Sequence, residues 1–259
     1  MLTGKKTFPY GALQRERLIV LCGLLGLSLL AWAYIILMAG DASAGTGTME
    51  MAMPLARGWG LRDAVITFAM WSVMMFAMMT PSAAPMILAF EASRGPTSGS
   101  ERTISSTAAF LVGYLVVWTL FSAGATVMQW LLQSASMLTD DLLLTRRAGG
   151  AVLLIAGVFQ FSPLKNSCLS VCRSPVSFLL AEWREGVRGA FVMGTRHGLY
   201  CLGCCWAIML LLFAVGVMNL LWVAGIAIFV LLEKTLLPGR LITSLGGVSL
   251  ITAGLFLLA

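Results

Sequence analysis

The chain has 259 residues, of which 59% are apolar and only 11% charged, with a net charge of +6. Charge in a soluble domain runs nearer a quarter, so a mean hydropathy of +0.92 excludes an ordinary soluble enzyme and points to an integral membrane protein. The positive excess requires no nucleic-acid partner, because cytoplasmic loops and anionic lipids account for it.

A bilayer core of about 30 Å takes about 20 apolar residues to cross. Seven stretches approach that length: 18–39, 64–90, 107–133, 148–164, 190–217, 218–237 and 241–259. They predict an all-α, polytopic transmembrane bundle occupying 1–259 as a single membrane domain. The first span follows a basic start and precedes "ASA" at 42–44, which also resembles a signal-peptide cleavage site. Its apolar run is longer than a signal core of about 7–15 residues, which favours an anchor. The following loop carries "TMEMAMP", with Met49, Met51 and Met53 on alternate positions.

The second span contains "MWSVMMFAMMTPSAAPM". Met70, Met74 and Met78 recur every fourth residue and share a helix face, with Met75 and Met79 beside them and Met86 beyond the prolines. Such a stripe suits plain core packing, and it equally suits a path for a soft metal. Pro81 and Pro85 deprive the carbonyls of Ala77 and Pro81 of helical donors, so the helix is expected to bend or unwind over Thr80–Pro85 with its methionines turned inward. Thr80 and Ser82 add oxygen donors there.

The fourth span is the weakest, since only "AGGAVLLIAGVFQF" is free of charge, and it could be re-entrant. After it, "LKNSCLSVCR" lies between Pro163 and Pro175 and places Cys168 and Cys172 one helical turn apart. "VSFLLAEWREGV" then sets Phe178, Leu179 and Trp183 against Glu182, Arg184 and Glu185, which predicts a short interfacial helix in the 162–189 loop.

The fifth span opens with "RHGLYCLGCCWAIML". His197, Cys201, Cys204 and Cys205 fall at i, i+4, i+7 and i+8, one stripe about 12 Å long at 1.5 Å per residue. Imidazole and thiolate bind zinc and cuprous copper, and sulfur favours copper. Small residues in "GLYCLGCC" would also serve a close helix contact. One helix face cannot surround an ion, so Cys168 and Cys172 are expected to fold back onto Cys201 and either Cys204 or Cys205, with His197 at the mouth. Glu233, at the end of the sixth span, is expected to pair with Lys234 or Arg240, or to act as a proton or ligand group.

With seven spans and a cytoplasmic N-terminus, Lys5, Lys6, Arg15, Arg17, Arg94, Arg102, Lys165, Arg173, Arg184, Arg188, Arg196, Lys234 and Arg240 lie inside. Only Arg57, Arg62, Arg146 and Arg147 lie outside, which agrees with the positive-inside rule. Thiols then sit on the reducing side, apart from Cys22, and thioethers toward the oxidising side, as a cuprous relay would require.

The blocks "MWSVMMFAMMTPSAAPM", "QFSPLKNSCLSVCRSP" and "GTRHGLYCLGCCWAIMLLLFAVGVMNLLW", with "EK" at 233–234, resemble the bacterial family of predicted metal-binding integral membrane proteins, a domain of unknown function. The resemblance covers about 64–237. It implies metal binding by Cys168, Cys172, His197, Cys201, Cys204 and Cys205. Relatives often carry histidine before the second loop cysteine, where this chain has Val171, which implies a more thiolate-rich site.

The expectation is therefore a multi-pass protein of the bacterial inner membrane. It would handle copper(I), or zinc, at a cytoplasmic Cys/His site reached by a path through Met70, Met74 and Met78. Its partners would be the bilayer, the metal ion and a metallochaperone or larger membrane complex. A membrane thiol oxidoreductase using Cys201 and Cys204, or an accessory subunit with inert cysteines, is the alternative. No carboxylate pair, Ser/His/Asp set or phosphate loop suggests an enzyme.

Overall fold

The computed structural model describes residues 10–43, 59–94, 100–138, 143–217, 219–236 and 239–259. The methionines at 49, 51 and 53 lie outside these residues. The described chain is helical, apart from connections and one isolated bridge between Leu138 and Leu144. In order, the helices are α1 (Tyr10–Ser43), α2 (Leu61–Ser93), α3 (Ser100–Ser134), α4 (Arg146–Phe159) and α5 (Pro163–Arg173). They continue with α6 (Pro175–Glu182), α7 (Gly186–Met209), α8 (Leu211–Val215), α9 (Leu220–Thr235) and α10 (Gly239–Leu258).

Five stretches are long and apolar enough to cross a membrane: Arg17–Gly40, Leu61–Ser93, Thr103–Ser134, Gly186–Val215 and Arg240–Leu258. A sixth arises if α4 and α5, which meet at 65°, count as one broken crossing. The two remaining sequence candidates differ for a simple reason. The 148–164 stretch forms a helix of only 14 residues before it turns, and 218–237 forms one of 16. At 1.5 Å per residue both are shorter than a core of about 30 Å.

Helix α2 lies at the centre, with Trp71, Met75, Met79 and Phe90 fully buried. The outer helices carry exposed apolar side chains, among them Leu30, Leu37, Leu120 and Phe256, a surface a bilayer would cover. Helices α3 and α7 approach so closely that only glycine fits between them. A Cβ on Gly194 would stand 1.9 Å from the Phe110 carbonyl oxygen, and one on Gly113 would stand 2.2 Å from that of Phe191. Small residues allow such backbone approach between apolar helices.

The expected unwinding at Thr80–Pro85 does not occur, since α2 continues through both prolines. A side chain takes over one of the lost backbone donors. Trp32 Nε1 donates to Ala77 O at 3.1 Å, the carbonyl freed by Pro81. The neighbouring Met79 O accepts from Ser82 Oγ at 2.9 Å and from Tyr114 OH at 3.1 Å. The inward orientation expected of the methionines does occur: Met70, Met74 and Met78 are 3%, 1% and 1% exposed.

The 162–189 loop folds as two short helices, each begun by a proline at its first turn, where the missing N–H costs nothing. Ser162 caps α5 by accepting from Lys165 N at 3.1 Å. Helix α6 turns Phe178 and Leu179 inward and leaves Val176 and Leu180 exposed. An ion pair between Glu182 and Arg196 ties it to α7.

Candidate metal centre

Helix α7 presents His197, Cys201, Cys204 and Cys205 on one buried stripe, as the 3.6-residue repeat requires. The three thiols are inaccessible and the imidazole is 2% exposed. Helix α5 packs against this stripe with Lys165, Leu169 and Cys172 inward. Cys172 is thereby buried on the α5 face that packs against α7. Cys204 Sγ lies 3.3 Å from Cys205 Sγ and donates to Cys201 O at 3.1 Å. All six cysteines are free thiols.

Four of the six expected ligands, Cys172, Cys201, Cys204 and Cys205, are buried on the packed faces of α5 and α7. Cys168 stands apart, half-buried, with its sulfur against Gly203, whose Cβ would come within 2.8 Å of it. The reason is helical phase. Lys165, Leu169 and Cys172 lie within about 60° of one another at 100° per residue, and Cys168 falls on the edge of that stripe. His197 is one turn from Cys201 and walled by aromatic rings, with centroids of Tyr114 at 5.5 Å, Phe178 at 5.7 Å and Phe110 at 6.1 Å. Its Nδ1 is buried without a hydrogen-bond partner.

Lysines not anticipated from sequence complete the surroundings. Lys165 Nζ donates to Glu233 Oε2 at 2.9 Å and to Cys204 O at 3.2 Å. Glu233 Oε1 accepts from Thr243 Oγ1 at 2.8 Å, and Glu233 O accepts from Arg173 Nε at 2.8 Å. Glu233 therefore pairs with Lys165 instead of Lys234 or Arg240. Adjacent residues on a helix diverge by about 100°, so Lys234 points elsewhere. Its Nζ donates to Cys201 Sγ at 2.9 Å and to Ser82 Oγ at 3.0 Å. Tyr114 OH lies 3.1 Å from the same sulfur. The available signal was the rarity of ionisable groups within apolar segments, where they mark function.

Among the described residues, no three His, Cys, Asp or Glu side chains form a group that could hold a metal ion. The thiols instead hydrogen-bond to one another, to Lys234 and to Cys201 O. The buried donors are nonetheless soft sulfur from two helices, a chemistry that suits a soft metal.

Residues 68–257 match the PpoB2 family, described as a copper chaperone. The chain belongs to this copper chaperone family. No curated protein and no solved structure gives a significant match. The metal binding implied by the sequence resemblance is thereby narrowed to copper handling.

Proposed function

We propose that this copper chaperone family member is a multi-pass membrane protein that carries cuprous ion as cargo. Cys172 and Cys201 form its principal binding pair, with Cys204 and Cys205 as exchange partners. The burial of Cys172 on α5 and of Cys201 and Cys204 on α7, where the two helices pack together, supports this reading. A digonal ion needs donors on opposite sides, and thiols carried by two different helices suit that need.

The buried thioethers of Met70, Met74 and Met78 form the approach from the outer side, because neutral thioethers bind a soft monovalent ion without deprotonation. His197, with its unpartnered Nδ1, serves the cytoplasmic mouth. Cys168, beside the cluster, is a secondary ligand that receives the ion on release. In this reading the N-terminus is cytoplasmic, the long apolar helices cross a bacterial inner membrane, and delivery is to a metallochaperone or a larger membrane complex.

The test is anaerobic copper loading of the purified protein, followed by elemental analysis of single serine replacements. Loss of bound copper in Cys172→Ser and Cys201→Ser, without disulfides at any stage, is the expected result. Trapped mixed disulfides would instead identify a thiol oxidoreductase. Full loading in every variant would leave the cysteines as packing residues.

A further inference from the structure

Two buried lysines stand beside the cysteines, and they differ in what answers their charge. Lys165 is matched by Glu233 at 2.9 Å, with both side chains inaccessible. Lys234 is 7% exposed, and its acceptors are Cys201 Sγ and Ser82 Oγ, neither of them a carboxylate. The nearest acid in sequence, Glu233, is turned away and held by Lys165 and Thr243. A cation buried in an apolar interior is costly unless an opposite charge faces it. The one acceptor here able to become an anion on loading is a thiol of the cargo site.

We propose that Lys234 is the fixed counter-charge of a two-thiolate cuprous centre and thereby sets the site's preference for a monovalent ion. The inference rests on the cuprous reading of the site given above. Binding replaces two S–H protons by one Cu⁺, so that Cu⁺ and two thiols yield a bis-thiolate complex of charge −1 and two released protons. The Lys234 ammonium, one hydrogen bond from Cys201 Sγ, brings that sum to zero. A divalent ion on the same two thiolates is already neutral, and Lys234 would stand beside it uncompensated. Lys165 cannot take this role, because Glu233 cancels its charge. Ser82 and Cys201 together aim the ammonium, anchoring it to α2 on one side and α7 on the other.

The full-length protein in detergent is titrated anaerobically with cuprous ion against bicinchoninate, and separately with zinc against a fluorescent zinc chelator. Unit charges about 5 Å apart at an effective dielectric near 20 shift a binding constant by about 100-fold. Lys234→Met should therefore weaken cuprous binding by roughly that factor while zinc binding holds or strengthens, and Lys234→Arg should keep the wild-type preference. If Lys234→Met does not fold, Lys234→Gln, which keeps a hydrogen-bond donor without the charge, provides the same two-metal comparison. Equal weakening of both metals would overturn the proposal, since a packing role does not distinguish the ions, and so would unchanged cuprous affinity. Wild-type protein that binds no cuprous ion would defeat the reading of the site itself.

Discussion

The two sulfur-rich regions of the molecule are buried by different means. On α2, Met70, Met74 and Met78 disappear into the core on one helix face, since a thioether is apolar and needs no partner. Around Cys201, the thiols lie in a closed cluster of α2, α3, α5, α7, α9 and α10, with two lysines, a glutamate, a tyrosine and hydroxyl groups engaged. Apolar sulfur can be placed by local periodicity alone. Ionisable sulfur beside buried charge requires a network, and the network makes the cysteine region the more fragile of the two.

The sharpest test of that difference is Glu233→Gln, which leaves Lys165 buried without its countercharge. Breaking one side of a buried pair costs about 3–5 kcal/mol, so thermal unfolding in detergent should show a large loss of stability. Modification of Cys172 by a maleimide should rise as α5 loosens. Replacing both partners by apolar residues, Lys165→Met with Glu233→Leu, should recover most of the stability.

Gly194→Ala comes next. Its Cβ would meet the Phe110 carbonyl at 1.9 Å, and forcing α3 from α7 should cost about 1–3 kcal/mol, as overpacking does. Gly225 has no atom within 4 Å of its would-be Cβ, so Gly225→Ala should be neutral or stabilise by up to about 1 kcal/mol through helix propensity. A similar melting shift in both would mean that the glycine contact does not hold the cysteine helix.

On the methionine side the effects should be smaller. Trp32→Phe removes the donor to Ala77 O and should destabilise by about 1 kcal/mol, the net worth of an ordinary hydrogen bond. Met74→Leu conserves volume and should change stability by less than about 1.5 kcal/mol, while slowing copper uptake into vesicles loaded with a cuprous chelator. Unchanged uptake would reduce the methionine face to packing and erase the functional half of the comparison.

The features set by the chain's own local order are legible in the sequence. Apolar length marked the long helices, and the 3.6-residue repeat aligned His197 with Cys201, Cys204 and Cys205 and set Met70, Met74 and Met78 on one side of α2. Both follow from backbone geometry, which every segment carries within itself. The fate of the prolines was not legible, because the indole that serves Ala77 O lies 45 residues away. Nor was the choice of Cys172 over Cys168, two thiols separated by about 40° of helix rotation, which the docking of α5 through Lys165 and Leu169 decides. The pairing of Glu233 with Lys165 and the turn of Lys234 toward Cys201 likewise depend on which helices face each other. Hydropathy reports whether a segment is buried; only the packed bundle determines which side chains meet there.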